Sequence, residues 1–302
     1  MTSPEFVTIA TRKSALALAQ CRAWMAEFTR ITGVQTRELH VTTTGDRIQD
    51  RALNQIGGKG LFIKEIEEAL LDGSADIAVH SLKDVPAELA PGLALACYPK
   101  REDARDVIKT RTGCRFEELP AGARVGTSSL RRVVQLQRVR SDLQFVPLRG
   151  NVDTRLRKCE EGEVDAVILA MAGMNRLGFR ERFTHALEPE VCLPAVGQGS
   201  LGIEIRSNDA RLRELLAKVN DSDTEIAVSA ERGVMLAVEG SCQVPVAGYA
   251  VRDGAQMYLR GFLAEADGSR VRSTETRVDW PGSPEQAFEI GRELGTRLKA
   301  TA

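Results

Sequence analysis

Thr127-Ser128-Ser129 runs directly into Leu130-Arg131-Arg132, so three hydroxyl side chains precede two adjacent arginines. A helix starting there offers unpaired N–H groups and the positive end of its dipole, which already attracts an anion. The guanidiniums add bidentate donors suited to carboxylate or phosphate. Arg149-Gly150-Asn151 with Arg155 and Arg157 repeats the arrangement on the next turn and helix, and Arg12 with Ser14 opens an earlier one. One such arginine is as readily a solvated residue with an i,i+4 partner. Several of them, all at strand-to-helix turns, point to a binding site for a small, multiply anionic molecule.

Two further strings carry reactive groups. His80-Ser81-Leu82-Lys83-Asp84-Val85-Pro86 follows a short apolar run, Asp76 to Val79. A Lys-Asp neighbour pair is ordinarily solvated, but at the carboxyl end of a buried strand Lys83 and Asp84 become candidates for catalysis. Cys242 lies in Gly240-Ser241-Cys242-Gln243-Val244-Pro245. A lone cysteine is commonly an inert small residue, whereas a thiol exposed in a Gly/Ser/Pro turn can react. The three histidines (40, 80, 185) and six cysteines (21, 97, 114, 159, 192, 242) show no zinc-ligand spacing, so no metal site is expected. Gly57-Gly58-Lys59-Gly60 lacks the spacing of a phosphate loop. Gly197-x-Gly199-x-x-Gly202 matches a dinucleotide fingerprint literally, but strand-like Ile203-Glu204-Ile205 follows it where a helix is required. Both strings read better as hinges.

The elements that must position these residues follow from periodicity. Phe6 to Ala10 reads as a strand. Leu18, Cys21, Met25 and Phe28 give the next segment one apolar helical face. Glu38 to Val41 is a second strand, and Thr42 to Gly60 a long polar loop. Leu61 to Leu71 is an amphipathic helix, and Asp76 to Val79 and Leu93 to Tyr98 are strands. After a charged crossing, Pro99 to Asp106, a like series begins: Arg124 to Gly126, Leu130 to Arg140, Gln144 to Pro147, Val152 to Glu161, Asp165 to Leu169. The two series imply two facing α/β domains whose ligands lie beyond the strand carboxyl ends. Ile203 to Ile205 returns to the first sheet.

From Asp221 the pattern changes. Thr224 is placed to cap a helix to Val238. Val246 to Val251, Met257 to Leu263 and Arg270 to Val278 alternate like antiparallel strands around Asp253-Gly254 and Asp267-Gly268 turns. Ser283-Pro284 with Gln286 opens a last helix. The expected boundaries are 1–99 plus 200–220 for the first domain, 100–199 for the second, and 221–302 for a small α+β domain carrying Cys242.

Composition narrows the function classes. The 302 residues are 43 % apolar and 27 % charged with a formal net charge of −1, which provides no bulk basic field for nucleic acid or an anionic membrane. No apolar run approaches the roughly 20 residues of a membrane span. No secretory signal is evident, and scattered cysteines suit a cytoplasmic chain with reduced thiols.

Taken in order, Ile9 to Ser14, Gly57 to Phe62, His80 to Pro86, Val125 to Arg132, Leu148 to Asn151, Leu193 to Gly199 and Ser241 to Pro245 resemble the porphobilinogen deaminases (hydroxymethylbilane synthases). The resemblance implies two type II periplasmic-binding-protein-like α/β domains with a cleft between them, plus a C-terminal α+β domain with a three-stranded antiparallel sheet. It implies a monomeric transferase that joins four porphobilinogen molecules head to tail with loss of ammonia and releases hydroxymethylbilane by hydrolysis. The family builds a dipyrromethane cofactor from its own substrate and holds it through a thioether, here matched by Cys242. Asp84, with Lys83, matches the reaction centre. By the same matching Ser81, Lys83, Thr127, Ser128, Ser129, Arg131 and Arg132 hold the cofactor. Arg12, Ser14, Gln20, Lys59, Arg149, Asn151, Arg155, Arg176 and Gln198 hold the substrate. Thr44 and Gln55 depart from basic residues of some members, Asn175 from a frequent Lys, and Asp153 and Ser241 from Gly. A non-catalytic binding protein for an anionic solute and a nucleic-acid-binding protein are the rival expectations; 5 % aromatics and near-neutral charge count against the second.

Overall fold

A computed structural model of the chain describes residues 6–47, 62–239 and 244–300. In chain order the first lobe lays down β1 (Val7–Arg12), α1 (Ala15–Thr32), β2 (Thr36–Val41), the short α2 (Thr44–Arg47), α3 (Lys64–Leu71), β3 (Ile77–Ser81) and β4 (Leu93–Cys97). The second lobe adds β5 (Asp106–Thr110), β6 (Arg124–Gly126), α4 (Leu130–Val139), β7 (Gln144–Val146), α5 (Val152–Glu160), β8 (Ala166–Ala170), α6 (Met171–Arg176) and β9 (His185–Leu187). The chain returns through β10 (Leu201–Arg206) and α7 (Ala210–Ala217), then forms α8 (Ser222–Ala237), β11 (Val246–Asp253), β12 (Gln256–Leu263), β13 (Arg272–Asp279) and α9 (Pro284–Ala300).

The two five-stranded sheets share one topology. Their orders are β2-β1-β3-β10-β4 and β7-β6-β8-β5-β9, with β10 and β5 antiparallel to their neighbours in an otherwise parallel core. β3 and β8, each preceded by an aspartate (Asp76 and Asp165), hold the same central place in their sheets. Both sheets are mixed rather than wholly parallel, and the sequence expectation omitted β5 and β9. Asp106 was assigned to the crossing because it is charged, yet it begins a strand in which Asp106, Val107, Ile108 and Thr110 are all buried. β9 is three residues long, too short for a period to register.

Local chemistry sets the ends of the elements facing the cleft. Ser14 caps α1 by accepting the Ala17 N–H at 3.3 Å, and Gly33 ends it in the left-handed region, donating to Thr29. The buried stripe of α1 is Gln20, Cys21, Trp24 and Phe28. Trp24 takes a place that the expected Leu18–Cys21–Met25–Phe28 stripe lacked, and stacks on Phe28 with centroids 5.0 Å apart. Burying Phe28 completely contributes about 2–3 kcal/mol.

In the third domain β11-β12-β13 form the antiparallel sheet. Helices α8 and α9 pack backbone to backbone across Gly233, Gly291 and Gly295, where a Cβ would strike the opposing main chain. Asp221, rather than Thr224, caps α8. Its carboxylate accepts the Thr224 N–H at 2.8 Å, and the Thr224 hydroxyl accepts from Arg101 N–H at 3.1 Å. The third strand begins at Arg272, because Arg270 turns to φ 46. Gln286 and Ser283 exchange the expected bonds at the head of α9, except that Gln286 reaches the N–H of Gly282. Among the described residues no helix is long and apolar enough to cross a membrane.

Candidate active site

The carboxyl ends of β1, β3, β6, β7 and β8 open onto one cleft of about 810 Å³. Among the described residues its lining contains eight cations, Arg12, Lys13, Lys83, Arg132, Arg149, Arg155, Lys158 and Arg176, against a single carboxylate, Asp153. The first turns of α1 and α5 border it, adding N–H groups and positive dipole ends. Leu16, Val152, Leu169, Ala172, Gly173 and Leu177 supply apolar wall, and Gly173 lies across from Leu16.

Twelve of the expected residues meet on this lining: Arg12, Ser14, Gln20, Ser81, Lys83, Ser128, Arg132, Arg149, Asn151, Arg155, Arg176 and Gln198. Several are fixed by hydrogen bonds, some within a turn and some across the cleft wall. Ser81 donates to Gln20 Oε1 at 2.9 Å, and Ser128 bonds both Leu148 O and Leu148 N–H. Asn151 caps α5 through the Thr154 N–H at 2.8 Å; Arg155 Nε donates to Gly150 O and Arg176 Nη2 to Gly199 O. Arg12 stacks over Phe62 at 4.3 Å and stands 4.0 Å from the Asp84 carboxylate, itself about one-third exposed. Asp84 therefore sits beside the cleft through Arg12 rather than on its lining.

Three further expected residues are absent from the lining: Arg131 and Thr127 are buried behind it, and Ser129 is half-buried. Arg131 is buried, its Nη2 bonded to Asp106 at 2.8 Å and its Nη1 to Leu193 O and Cys192 Sγ. Thr127 is buried and accepts the Ser129 N–H, and both shape the turn into α4. Arg157 is further out, in an exposed pair with Glu161. Lys59, Gln55, Ser241 and Cys242 fall outside the described residues.

Sequence reasoning missed Asp106, the carboxylate on which the cationic wall is built. It is fully buried and bonds Arg131 at 2.8 Å, Arg132 at 2.7 Å and Gln198 at 2.9 Å. Burial alone would raise its carboxyl pKa; the two guanidiniums overcome burial and hold it far below the usual carboxylate range. Its one signal in sequence was an acid heading an apolar run, the setting in which a buried charge requires a partner. Lys158 and Phe62 were also missed as lining residues. Asp153 pairs with Arg182 at 3.8 Å, and Asn175 donates to Glu102 at 2.6 Å.

The electrostatics show cations packed together. Burial pushes the Lys83 amine down to about 8. Burial and the charges of Arg132 and Arg149 bring Arg155 down to about 10, and burial lowers Arg176. Arg132 Nε and the Ser200 hydroxyl are buried donors without a hydrogen-bond partner among the described residues. Such a wall can bind several carboxylates at once. The donor set fits a dipyrromethane, whose pyrroles each carry an acetate and a propionate: Ser81 and Lys83 of the first lobe and Ser128 and Arg132 of the second all line the cleft. Among the described residues no cluster fit for a metal ion occurs.

The family model described as porphobilinogen deaminase, dipyromethane cofactor binding domain, matches residues 7–214, and the porphobilinogen deaminase C-terminal domain matches residues 225–300. Porphobilinogen deaminase from Sorangium cellulosum is 59 % identical over 98 % of this chain and 99 % of that protein. Those of Syntrophobacter fumaroxidans and Geobacter metallireducens are each 49 % identical, covering 97 % and 99 % of this chain and 94 % and 92 % of theirs. Among solved structures, the Bordetella pertussis BvgS VFT2 domain is 16 % identical with a TM-score of 0.43, covering 72 % of this chain and 87 % of that one. A TRAP periplasmic solute binding protein from Desulfovibrio salexigens is 13 % identical with a TM-score of 0.42, covering 71 % and 72 %.

Proposed function

This chain belongs to the porphobilinogen deaminase family, and on that premise we propose that it condenses porphobilinogen into hydroxymethylbilane in the cleft between its lobes. The observation that carries the reading is the imbalance of eight cations to one carboxylate among the described residues of the cleft lining, in a chain whose net charge is −1. Charge is concentrated there and balanced elsewhere, as a substrate that gains carboxylates at every step requires.

Each addition forms a carbon–carbon bond between the aminomethyl carbon of porphobilinogen and a free pyrrole α-carbon. Ammonia leaves with the carbon–nitrogen electron pair, and the attacked ring loses its α-proton. Porphobilinogen thus passes through a positively charged ring, and the ring it joins is charged until that proton departs. Asp84 is the carboxylate at the end of β3 that supplies the opposing charge and accepts the proton. Arg12, 4.0 Å from the Asp84 carboxylate and on the cleft lining, binds a substrate carboxylate beside it. Arg149, Asn151, Arg155 and Arg176, with Ser14, Gln20 and Gln198, orient the incoming ring. Lys59, by family matching, adds a further cation.

Ser81, Lys83, Ser128 and Arg132 would hold the dipyrromethane, attached through Cys242. Thr127 and Ser129 set the turn, and Arg131 braces Arg132 through Asp106, which both arginines bond. When bound, the group supplies the electron-rich pyrrole carbon on which the product is assembled. Intact mass of the purified protein tests this directly. It is expected to exceed the chain mass by two linked pyrrole units, and Cys242→Ser is expected to lose both that increment and activity. An active enzyme of unmodified mass refutes the cofactor assignment.

A further inference from the structure

The turn carrying Lys83 and Asp84 is not supported by its own lobe alone. Leu82–Asp84 is a single helical turn at the end of β3. Its first N–H, from Leu82, donates to Ser200 O at 3.0 Å, and the Leu82 side chain wedges against Gly197 and Gly202, where a Cβ would overlap it. These contacts tie the front of the turn to residues 197–202, through which the chain returns from the second lobe to β10. The back is held by the third domain. Val85 and Leu82 bury against Val228 of α8 together with Tyr98. Just beyond, the carbonyls of Pro86 and Ala87 both accept from Arg232 Nη2, at 3.0 Å each.

Arg232 is 8 % exposed. Two main-chain acceptors on consecutive residues, bonded by one guanidinium nitrogen, fix the direction in which the chain leaves Asp84. The same helix leads on to Cys242, five positions past its last residue. We propose that Arg232 is a positioning residue for the condensation: it locks the Asp84 turn to the helix of the third domain, and so keeps the carboxylate in register with the chemistry assembled from that domain. This rests on Asp84 being the carboxylate at the reaction centre. Arg232 does not face the cleft, so its removal takes no substrate contact away.

The test is a double-mutant cycle on the cofactor-loaded enzyme. Arg232→Gln is expected to lower kcat roughly ten- to hundredfold, the effect of misplacing a reacting group by about 1 Å. KM for porphobilinogen should stay within about twofold, with the intact mass still showing the cofactor. In an Asp84→Asn background the same change should cost less than about twofold more, because the group it positions is already disabled. Arg232→Lys, which can reach one of the two carbonyls, should recover most of the rate. A kcat for Arg232→Gln within twofold of wild type, or an unchanged loss in the Asp84→Asn background, overturns the inference. If Arg232→Gln does not fold, Arg232→Lys carries the cycle by the same criterion, with a severalfold loss that vanishes beside Asp84→Asn. A slow Asp84→Asn enzyme beside an unaffected Arg232→Gln enzyme sinks only the role of Arg232, whereas Asp84→Asn at wild-type speed sinks the reading on which it rests.

Discussion

Replacing Asp106 by Asn probes the support of the cationic wall. The carboxylate is fully buried and neutralises Arg131 and Arg132 together, at 2.8 Å and 2.7 Å. Asn keeps one acceptor oxygen, enough for one guanidinium. Its NH2 group then faces N–H donors, either of the second arginine or of Gln198. Removing one partner of a buried ion pair costs about 3–5 kcal/mol, because the other charge stays buried and uncompensated. At about 2–4 °C per kcal/mol for a domain of 150–250 residues, melting followed by circular dichroism should drop by about 10 °C.

The pH dependence gives the sharper discrimination. The folded carboxyl lies below its usual 3.8, so its contribution is complete above that value and is lost as pH falls through the folded value. The gap in melting temperature between wild type and Asp106→Asn should therefore be full at neutral pH, persist to about pH 5 and narrow only in stronger acid. Because Arg132 lines the cleft, the variant should also bind porphobilinogen more weakly. Equal melting temperatures at neutral pH, or a gap that widens on acidification, would refute the assignment of Asp106 as an ionised support.

Two further perturbations address the wall and the hinge. With the Lys83 amine brought down to about 8 by burial, kcat/KM should fall as pH rises through that value and one cation is lost from the cleft; Lys83→Met should be weaker below it and lack that limb, and an unchanged limb in the variant would show that another group titrates. Gly199 holds φ +90 with the Glu102 carbonyl oxygen where a Cβ would stand, so Gly199→Ala should cost at least about 1–3 kcal/mol of stability, read as a lower denaturation midpoint in urea, and wild-type stability would mean the crossing relaxes freely.

Much of the lobe architecture was legible because it is local. Ser14, Asn151 and Gly33 act within one turn of the helices they cap or end, and apolar periodicity marks α1, α3 and β11 to β13. The arginines at strand-to-helix turns were visible for the same reason, since a strand end and the next helix head are neighbours in chain and in space. Asp106 was barely legible. Its partners lie 25, 26 and 92 positions away, and the apolar pair that follows it is the one adjacent sign that it is not a solvated acid. Asp221 and Thr224 are both competent N-caps in sequence; in the fold Asp221 caps the helix while the Thr224 hydroxyl accepts the N–H of Arg101, 123 positions away.

By itself the sequence determined most of the elements, though not β5 and β9, that they occur as two like series and a third unlike one, and that guanidiniums cluster at the turns. These depend on dihedral preference, side-chain period and capping, all of which act over a few residues. Only the tertiary structure decided which of those guanidiniums face the cleft and which brace it. Arg131 and Arg132 are adjacent and both bond Asp106, yet α4 buries Arg131 against Leu193 O and leaves Arg132 on the lining. Burial of a charge is settled by the partners that long-range packing brings within hydrogen-bonding distance, and no short stretch of chain contains them.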